Sequence, residues 1–190
     1  MKKSLEELRR ELNANSHSAE ELCRGLSEEQ LRWRPEPGRW SIAELLVHLN
    51  LTNQTYVPAI ELAVREGRSR GLTAPAQPFE LGFVGAQFAR SMEPQRMKMS
   101  APKMICPLLQ GPAVEALPQF LRSQDLVVRA MDASDGLDLA SVKFTSPFFK
   151  LLRLSAIAGF AVIAAHERRH LWQAEQVLSL LESTRKPQAS

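Results

Sequence analysis

Cysteine and long hydrophobic runs are both scarce in this sequence. Two cysteines, Cys23 and Cys106, occur among 190 residues, so no disulfide framework is expected. The longest uncharged apolar stretch spans residues 154–165, well short of the roughly 20 residues that a membrane-spanning helix needs. Acidic side chains stand near the N-terminus, where a signal peptide would be apolar. We therefore expect a cytoplasmic protein that does not enter a membrane.

Clustered charge of one sign is also missing. The chain carries a formal net charge of +3, and its basic residues are interleaved with acidic ones. The largest basic cluster is Arg168 and Arg169 beside His170, which is too small to follow a phosphate backbone. We therefore expect no nucleic-acid partner.

The composition that is present indicates an ordinary folded protein. Hydrophobic residues make up 44 % of the chain and charged residues 24 %, a balance typical of globular proteins. A chain of this length can bury a substantial core within one unit. We expect a single domain over residues 1–190, with its core in about 5–182.

Apolar residues at helical spacing predict four long helices. Asn15 is the only interruption in the apolar stripe of the first helix. Ser41 and Glu44 form a capping box that begins the second, and Gly67 is expected to end it. The predicted ranges are about 3–25, 42–66, 112–133, and 150 or 155 to 182. The expected fold is an all-α four-helix bundle, because no segment shows sustained strand alternation.

Two connecting segments complete the predicted organisation. Residues 68–111, between the second and third long helices, are rich in proline and glycine, with one short helix predicted near 80–92. A connection this long often covers a functional site. The connector before the fourth long helix, residues 137–150, is predicted to contain a turn at Ser146-Pro147.

Three of the four histidines form a candidate metal site. His166 and His170 are four residues apart in an apolar helix, so both side chains lie on one face and can share an ion. His48, on the second long helix, is the candidate third ligand, since metal sites in helical bundles use side chains from facing helices. The sequence therefore predicts a divalent-metal site at His48, His166 and His170. His17 lies away from the apolar stripe of its helix and is expected to be solvated.

Other interpretations of these residues stay open. The histidines could be structural, held by hydrogen bonds without a metal. The run from His166 to His170 also matches the H-E-x-x-H pattern of zinc proteases, in which Glu167 would be the general base. That pattern needs a third ligand, usually downstream, and no histidine follows His170. Glu44 and Glu167 could orient the histidines, but the simpler expectation is a capping residue and a solvated charge, respectively.

Two segments carry a resemblance to a known family. Residues 40–49 read WSIAELLVHL and residues 166–173 read HERRHLWQ. They resemble the second-helix and last-helix motifs of the DinB-like superfamily. This resemblance implies an up-down-down-up four-helix bundle, often dimeric. It also implies one divalent ion, zinc or nickel, bound by three histidines that correspond to His48, His166 and His170.

Two classes of function stay open. The superfamily includes thiol-dependent S-transferases that use bacillithiol or mycothiol, glutathione-type isomerases, and members without an assigned activity. One hypothesis is a metal-dependent enzyme, a thiol S-transferase or a hydrolase, that acts on a small-molecule substrate, with a low-molecular-weight thiol as a possible second cofactor. The alternative is a non-catalytic metal-binding or interaction module, in which the ion staples two helices. A coordination position open to a cleft favours the enzyme, and a capped one favours the staple.

Overall fold

The computed structural model describes residues 1–94 and 101–185, and it is mostly helical, as predicted. The helices are α1 (Leu5–Cys23), α2 (Glu28–Arg32), α3 (Ile42–Ser69), α4 (Gly82–Ser91), α5 (Ala116–Ala133) and α6 (Ala156–Arg185). The strands are β1 (Lys2–Lys3), β2 (Phe79–Glu80), β3 (Lys143–Thr145) and β4 (Arg153–Ser155). Among the described residues, no helix combines the length and apolarity needed to cross a bilayer.

Helix α3 begins where the sequence predicts and continues past its predicted end. The Ser41 hydroxyl accepts a hydrogen bond from the Glu44 backbone at 3.2 Å, and the Glu44 carboxylate accepts one from the Ser41 backbone at 2.9 Å. The prediction that Gly67 ends the helix is wrong, because the helix runs to Ser69. A Cβ at Gly67 would lie 2.6 Å from a methyl group of Val142. This glycine therefore permits close packing inside the helix.

The four long helices, α1, α3, α5 and α6, each contribute to two buried hydrophobic clusters. Helix α3 packs against α5 and α6, and α1 packs against α6 and α5. Residues 156–165 of α6 are all buried, as expected for a helix segment without a polar face. Leu151, which lies within the longer of the two ranges predicted for the fourth helix, is fully exposed. The buried segment begins only where β4 leads into α6.

The described parts of the long segment after α3 pack on the helical core. Strand β2 pairs antiparallel with β1, with Lys3 opposite Phe79. Helix α4 confirms the predicted short helix and packs against α6. A Cβ at Gly85 of α4 would lie 2.6 Å from the Ala158 side chain, so the two helices are in close contact. A 3-10 turn at Lys103–Ile105 then contacts α3.

The connector before α6 is a β-hairpin. Strands β3 and β4 pair antiparallel, with Phe144 opposite Leu154. The predicted turn after Ser146 is present and closes with a hydrogen bond from the Ser146 N–H to the Leu152 carbonyl at 2.8 Å. Each strand has only three residues, which is too short for an alternating pattern to stand out in the sequence. The hairpin places residues 146–152 beside the first turns of α6.

Candidate metal centre

The structure brings the three predicted histidines together. His48 comes from α3, whereas His166 and His170 lie one turn apart on α6. The Nε2 atom of His166 lies 3.2 Å from Nε2 of His48 and 3.1 Å from Nε2 of His170. The potential ligand atoms of all three lie within 4.8 Å of one another. Residues separated by more than 100 positions in the chain therefore present their ring nitrogens to one point.

Two hydrogen bonds orient the histidine rings. The backbone carbonyl of Ile105 lies 2.7 Å from Nδ1 of His48, and the side-chain oxygen of Gln173 lies 2.8 Å from Nδ1 of His170. Both oxygens only accept hydrogen bonds, so each Nδ1 donates its proton to them. In a neutral ring this leaves Nε2 with a free lone pair. Both lone pairs face His166, which is the arrangement of metal-binding imidazoles with outer hydrogen-bond partners.

The electrostatic setting keeps the histidines uncharged. Burial, followed by the neighbouring His48, lowers the pKa of His170 to about 3. Burial and the two other rings lower the pKa of His166 well below its usual value. Burial also lowers the pKa of His48, although its hydrogen bond to Ile105 opposes that shift. Neutral imidazoles are the form that binds metals, so this donor set fits a divalent transition-metal ion.

The histidines open onto a cavity of about 680 Å³. All three line its wall together with Trp40, whose ring centre lies 4.8 Å from that of His48. The Trp40 ring is also 6.1 Å from the His170 ring. Since all three histidines border this space, a small molecule could reach an ion held between them. The volume falls within the usual range for small-molecule sites.

Glu167 occupies a different place from the one expected. The expectation of a solvated charge is wrong, because the residue is 0 % exposed. Neighbouring helical residues point about 100° apart, so His166 faces the cavity while Glu167 faces the helical interior. Glu167 is not among the described residues that line the cavity. The zinc-protease interpretation, which needs this carboxylate beside the ion, is therefore not supported by the geometry.

Three amide side chains surround the Glu167 carboxylate. Asn15 of α1, Asn53 of α3 and Gln124 of α5 each donate a hydrogen bond to it at 3.0 Å. Together these four residues, the amide cluster, join the four long helices. Burial raises the pKa of Glu167 to about 7, although the three hydrogen bonds oppose the shift.

The remaining candidate residues lie where the sequence placed them. The side chain of His17 is 72 % exposed, 3.8 Å from Glu21, as expected for a solvated histidine. Glu44 forms the predicted capping box. Its carboxylate also accepts a hydrogen bond from Nε of Arg34 at 2.8 Å and forms an ion pair with that guanidinium. Both acids singled out in the sequence therefore hold structure and do not border the ion site.

A sequence profile of the DinB superfamily matches residues 11–174, which is most of the chain. The chain belongs to the DinB superfamily. No curated protein and no solved structure matches it. The matched residues include α3 and the part of α6 that carries His166 and His170. Both helices that form the candidate centre of this DinB-superfamily chain therefore lie within the match.

The sequence did not reveal every residue at the centre. The Ile105 contact uses a backbone carbonyl, which leaves no side-chain signal. Gln173 stands three residues after His170, so it lies on the same helix face, and that spacing could have identified it. The amide cluster also left a trace in the sequence, because Asn15 interrupts an otherwise apolar stripe.

We expect Gln173→Leu to weaken metal affinity by about 10- to 100-fold, as loss of an outer hydrogen-bond partner typically does. The change removes the acceptor that fixes the His170 ring but leaves all three ligands in place. Isothermal titration of metal-free protein with zinc measures the effect. The matched control is Gln176→Leu, since Gln176 lines the same cavity and no hydrogen bond joins it to a histidine in the described part of the chain. Equal affinities for the two variants would contradict the positioning role.

Proposed function

We propose that this protein is a metal-dependent enzyme, a thiol S-transferase or a hydrolase, that acts on a small molecule. The observation that carries the proposal is that the three histidines, whose potential ligand atoms lie within 4.8 Å of one another, all line the 680 Å³ cavity. An ion held there by His48, His166 and His170 would be accessible to a ligand. A purely structural site is normally closed by protein ligands on all sides.

Zinc or nickel is the proposed ion, since imidazole nitrogens suit both. When bound, such an ion lowers the pKa of a thiol or a water molecule and so supplies a nucleophile near neutral pH. In an S-transfer the thiol loses its proton to solvent and its sulfur bonds to an electrophilic carbon. The leaving group then departs with the electron pair of the broken bond. The histidine rings, held by Ile105 and Gln173, fix the position at which these groups meet.

The architecture proposed with this function is a single domain over residues 1–190. We infer an up-down-down-up bundle of α1, α3, α5 and α6, and a homodimer as its assembly. The mutual packing of these four helices supports the bundle, and membership of the DinB superfamily supports both inferences. The long segment between α3 and α5 then serves as a cover of the site, because Ile105 within it anchors His48.

A non-catalytic metal-binding module is the second candidate. The observation that favours it is that the histidines come from two different helices, α3 and α6. An ion there would staple these helices together whether or not it reacted with a ligand. Both candidates bind the ion, and only the enzyme converts a substrate.

The test has two steps. Protein purified without a histidine tag should carry about one divalent ion per chain by elemental analysis, as expected for one three-histidine site. The loaded protein is then incubated with an electrophile and bacillithiol, mycothiol or glutathione, and separately with ester and amide substrates. We expect the loaded protein to consume one of the thiols or to hydrolyse one of the substrates. This activity should disappear when a chelator removes the ion. Full metal loading without any turnover would contradict the enzyme and favour the module.

A further inference from the structure

The cavity has two chemically different ends. Helices α3 and α6 run in opposite directions past the histidines, because Ile60, late in α3, lies 3.1 Å from the Cβ position of Gly159, early in α6. Tyr56 and Val162 therefore lie on the same side of the three histidines. Gln173, which follows the histidines on α6, lies on the opposite side. The cavity-lining residues of α3 and α6 that precede or follow the histidines can thus be assigned to one end or the other.

The end near the start of α6 is aromatic. Four rings, here called the aromatic chamber, line it from three separate elements: Tyr56 on α3, Phe88 on α4, and Phe148 and Phe149 in the hairpin turn. The ring centres of Tyr56 and Phe148 lie 5.1 Å apart, and those of Phe88 and Phe149 lie 5.9 Å apart, both edge-on. The Tyr56 hydroxyl lies 3.4 Å from the Ser146 hydroxyl. Its polar group therefore has a protein partner, which leaves an apolar wall facing the cavity.

The other end carries hydrogen-bonding and charged groups among apolar ones, since Trp40, Leu45, Trp172 and Val177 also line it. Gln173 and Gln176 line it from α6, and Glu36 and Arg39 line it from the loop before α3. Amide and charged groups of this kind bind polar ligands through hydrogen bonds, whereas aromatic rings gain most from contact with flat apolar groups. The histidines lie between the two ends. The cavity therefore offers four aromatic rings on one side of them and the hydrogen-bonding groups of Gln173, Gln176, Glu36 and Arg39 on the other.

We propose that the aromatic chamber binds the flat apolar part of a small-molecule substrate beside the three histidines. The assignment of this ligand as a substrate rests on the proposed function, but its binding does not require the ion. In a two-substrate reaction the other end would receive the thiol, and the aromatic chamber would receive the electrophile. The substrate class is thus a small molecule with an aromatic or similarly planar apolar body.

The walls of the chamber favour a small molecule over a larger partner. Helices α3, α4 and α6 and the hairpin turn enclose it, and the whole cavity measures about 680 Å³, within the range for small ligands. Phe149 is 39 % exposed, so part of one ring remains uncovered by protein. A planar ligand that enters would bury that apolar surface, and the burial stabilises the complex.

The probe for this proposal is 2-naphthol, a fluorescent planar alcohol. Titration should give saturable binding of one naphthol per chain. Phe148→Ala should weaken that binding about tenfold, since it removes a ring contact and its buried area. Phe149→Ala should weaken the binding several-fold, and it should disturb folding little because Phe149 is partly exposed. Circular dichroism checks that both variants are folded. The matched control is Phe83→Ala on α4, because Phe83 is 81 % exposed and lies outside this cavity.

The outcomes separate this proposal from the metal-dependent function. Binding that survives chelation but falls in folded Phe148→Ala and Phe149→Ala supports the chamber, even if no thiol transfer is detected. Absence of saturable binding would overturn it. So would affinities unchanged in both variants, or a loss in Phe83→Ala as large as theirs, because each would place the naphthol elsewhere on the surface.

Discussion

Glu167→Ala should lower the free energy of unfolding by about 3–5 kcal/mol, the range expected when one partner of a buried polar network is removed. The side chain is fully buried, and its carboxylate accepts hydrogen bonds from Asn15, Asn53 and Gln124. Alanine removes the acceptor that the three amides share and leaves a cavity, and both losses are costly in a buried site. Each amide nitrogen keeps another partner, such as the Ala164 carbonyl for Asn15. The loss affects all four long helices at once because each contributes one member of the amide cluster.

Glu167→Gln separates hydrogen bonding from side-chain volume. Glutamine has nearly the same shape, but one of its terminal groups is an amide nitrogen that would meet donor groups. We expect a loss of about 1–3 kcal/mol, the cost of one or two mismatched buried hydrogen bonds. Urea unfolding followed by circular dichroism measures both variants. A zinc-protease base would show the opposite pattern, with activity abolished and stability unchanged.

The control for both substitutions is Glu175→Ala. Glu175 lies two turns further along the same helix and is exposed, so its removal should change stability by no more than about 0.5 kcal/mol. If Glu167→Ala were as mild as this control, the amide cluster would not hold the helices together.

The second large effect concerns metal content. The double variant His166→Ala, His170→Ala should carry no bound ion, because it removes two of the three nitrogens that meet between α3 and α6. The helical circular dichroism should persist, since a chain of this size does not depend on a metal to fold. Elemental analysis after dialysis against equimolar zinc or nickel gives the occupancy.

His17→Ala is the matched histidine control. Its side chain is 72 % exposed and lies near Glu21, away from the cavity, so metal content should remain at the wild-type level. Full occupancy in the double variant would place the ion elsewhere and remove the basis of the proposed function. Loss of the ion from all variants, including His17→Ala, would point to a general loss of folding, which the circular dichroism spectra would reveal.

Adjacent residues of one motif therefore have separate tasks. His166 and His170 face the cavity, whereas Glu167 between them faces the interior and binds three other helices. The short pattern HERRH contains both the candidate metal ligands and the buried carboxylate, because successive residues of a helix point in different directions. A pattern match alone does not tell these directions apart, and for this reason it could suggest a catalytic carboxylate where the structure has a buried hydrogen-bond acceptor.

The sequence by itself determined the helical class, the start of α3 and the grouping of three histidines. Helical periodicity and capping boxes are local signals, so they were sufficient for the start of α3 at Ser41 and for the short helix α4. The spacing of His166 and His170 is equally local, and His48 stood out because it lies on an apolar helix. For the same reason the family could be inferred from two short segments, and the profile match confirms it.

Only the tertiary structure decided the contacts that join distant parts of the chain. The Ile105 carbonyl reaches His48 across 57 positions, and Asn15 reaches Glu167 across 152. No local pattern indicates such pairs. The Ile105 carbonyl is like any other loop carbonyl, and Asn15 is only a polar residue within an apolar stripe. Likewise, Gly67 reads as a helix end until Val142 is seen packed against it. The burial of the Glu167 side chain and the meeting of the four rings of the aromatic chamber both arise from packing between helices and turns. They therefore depend on the complete fold.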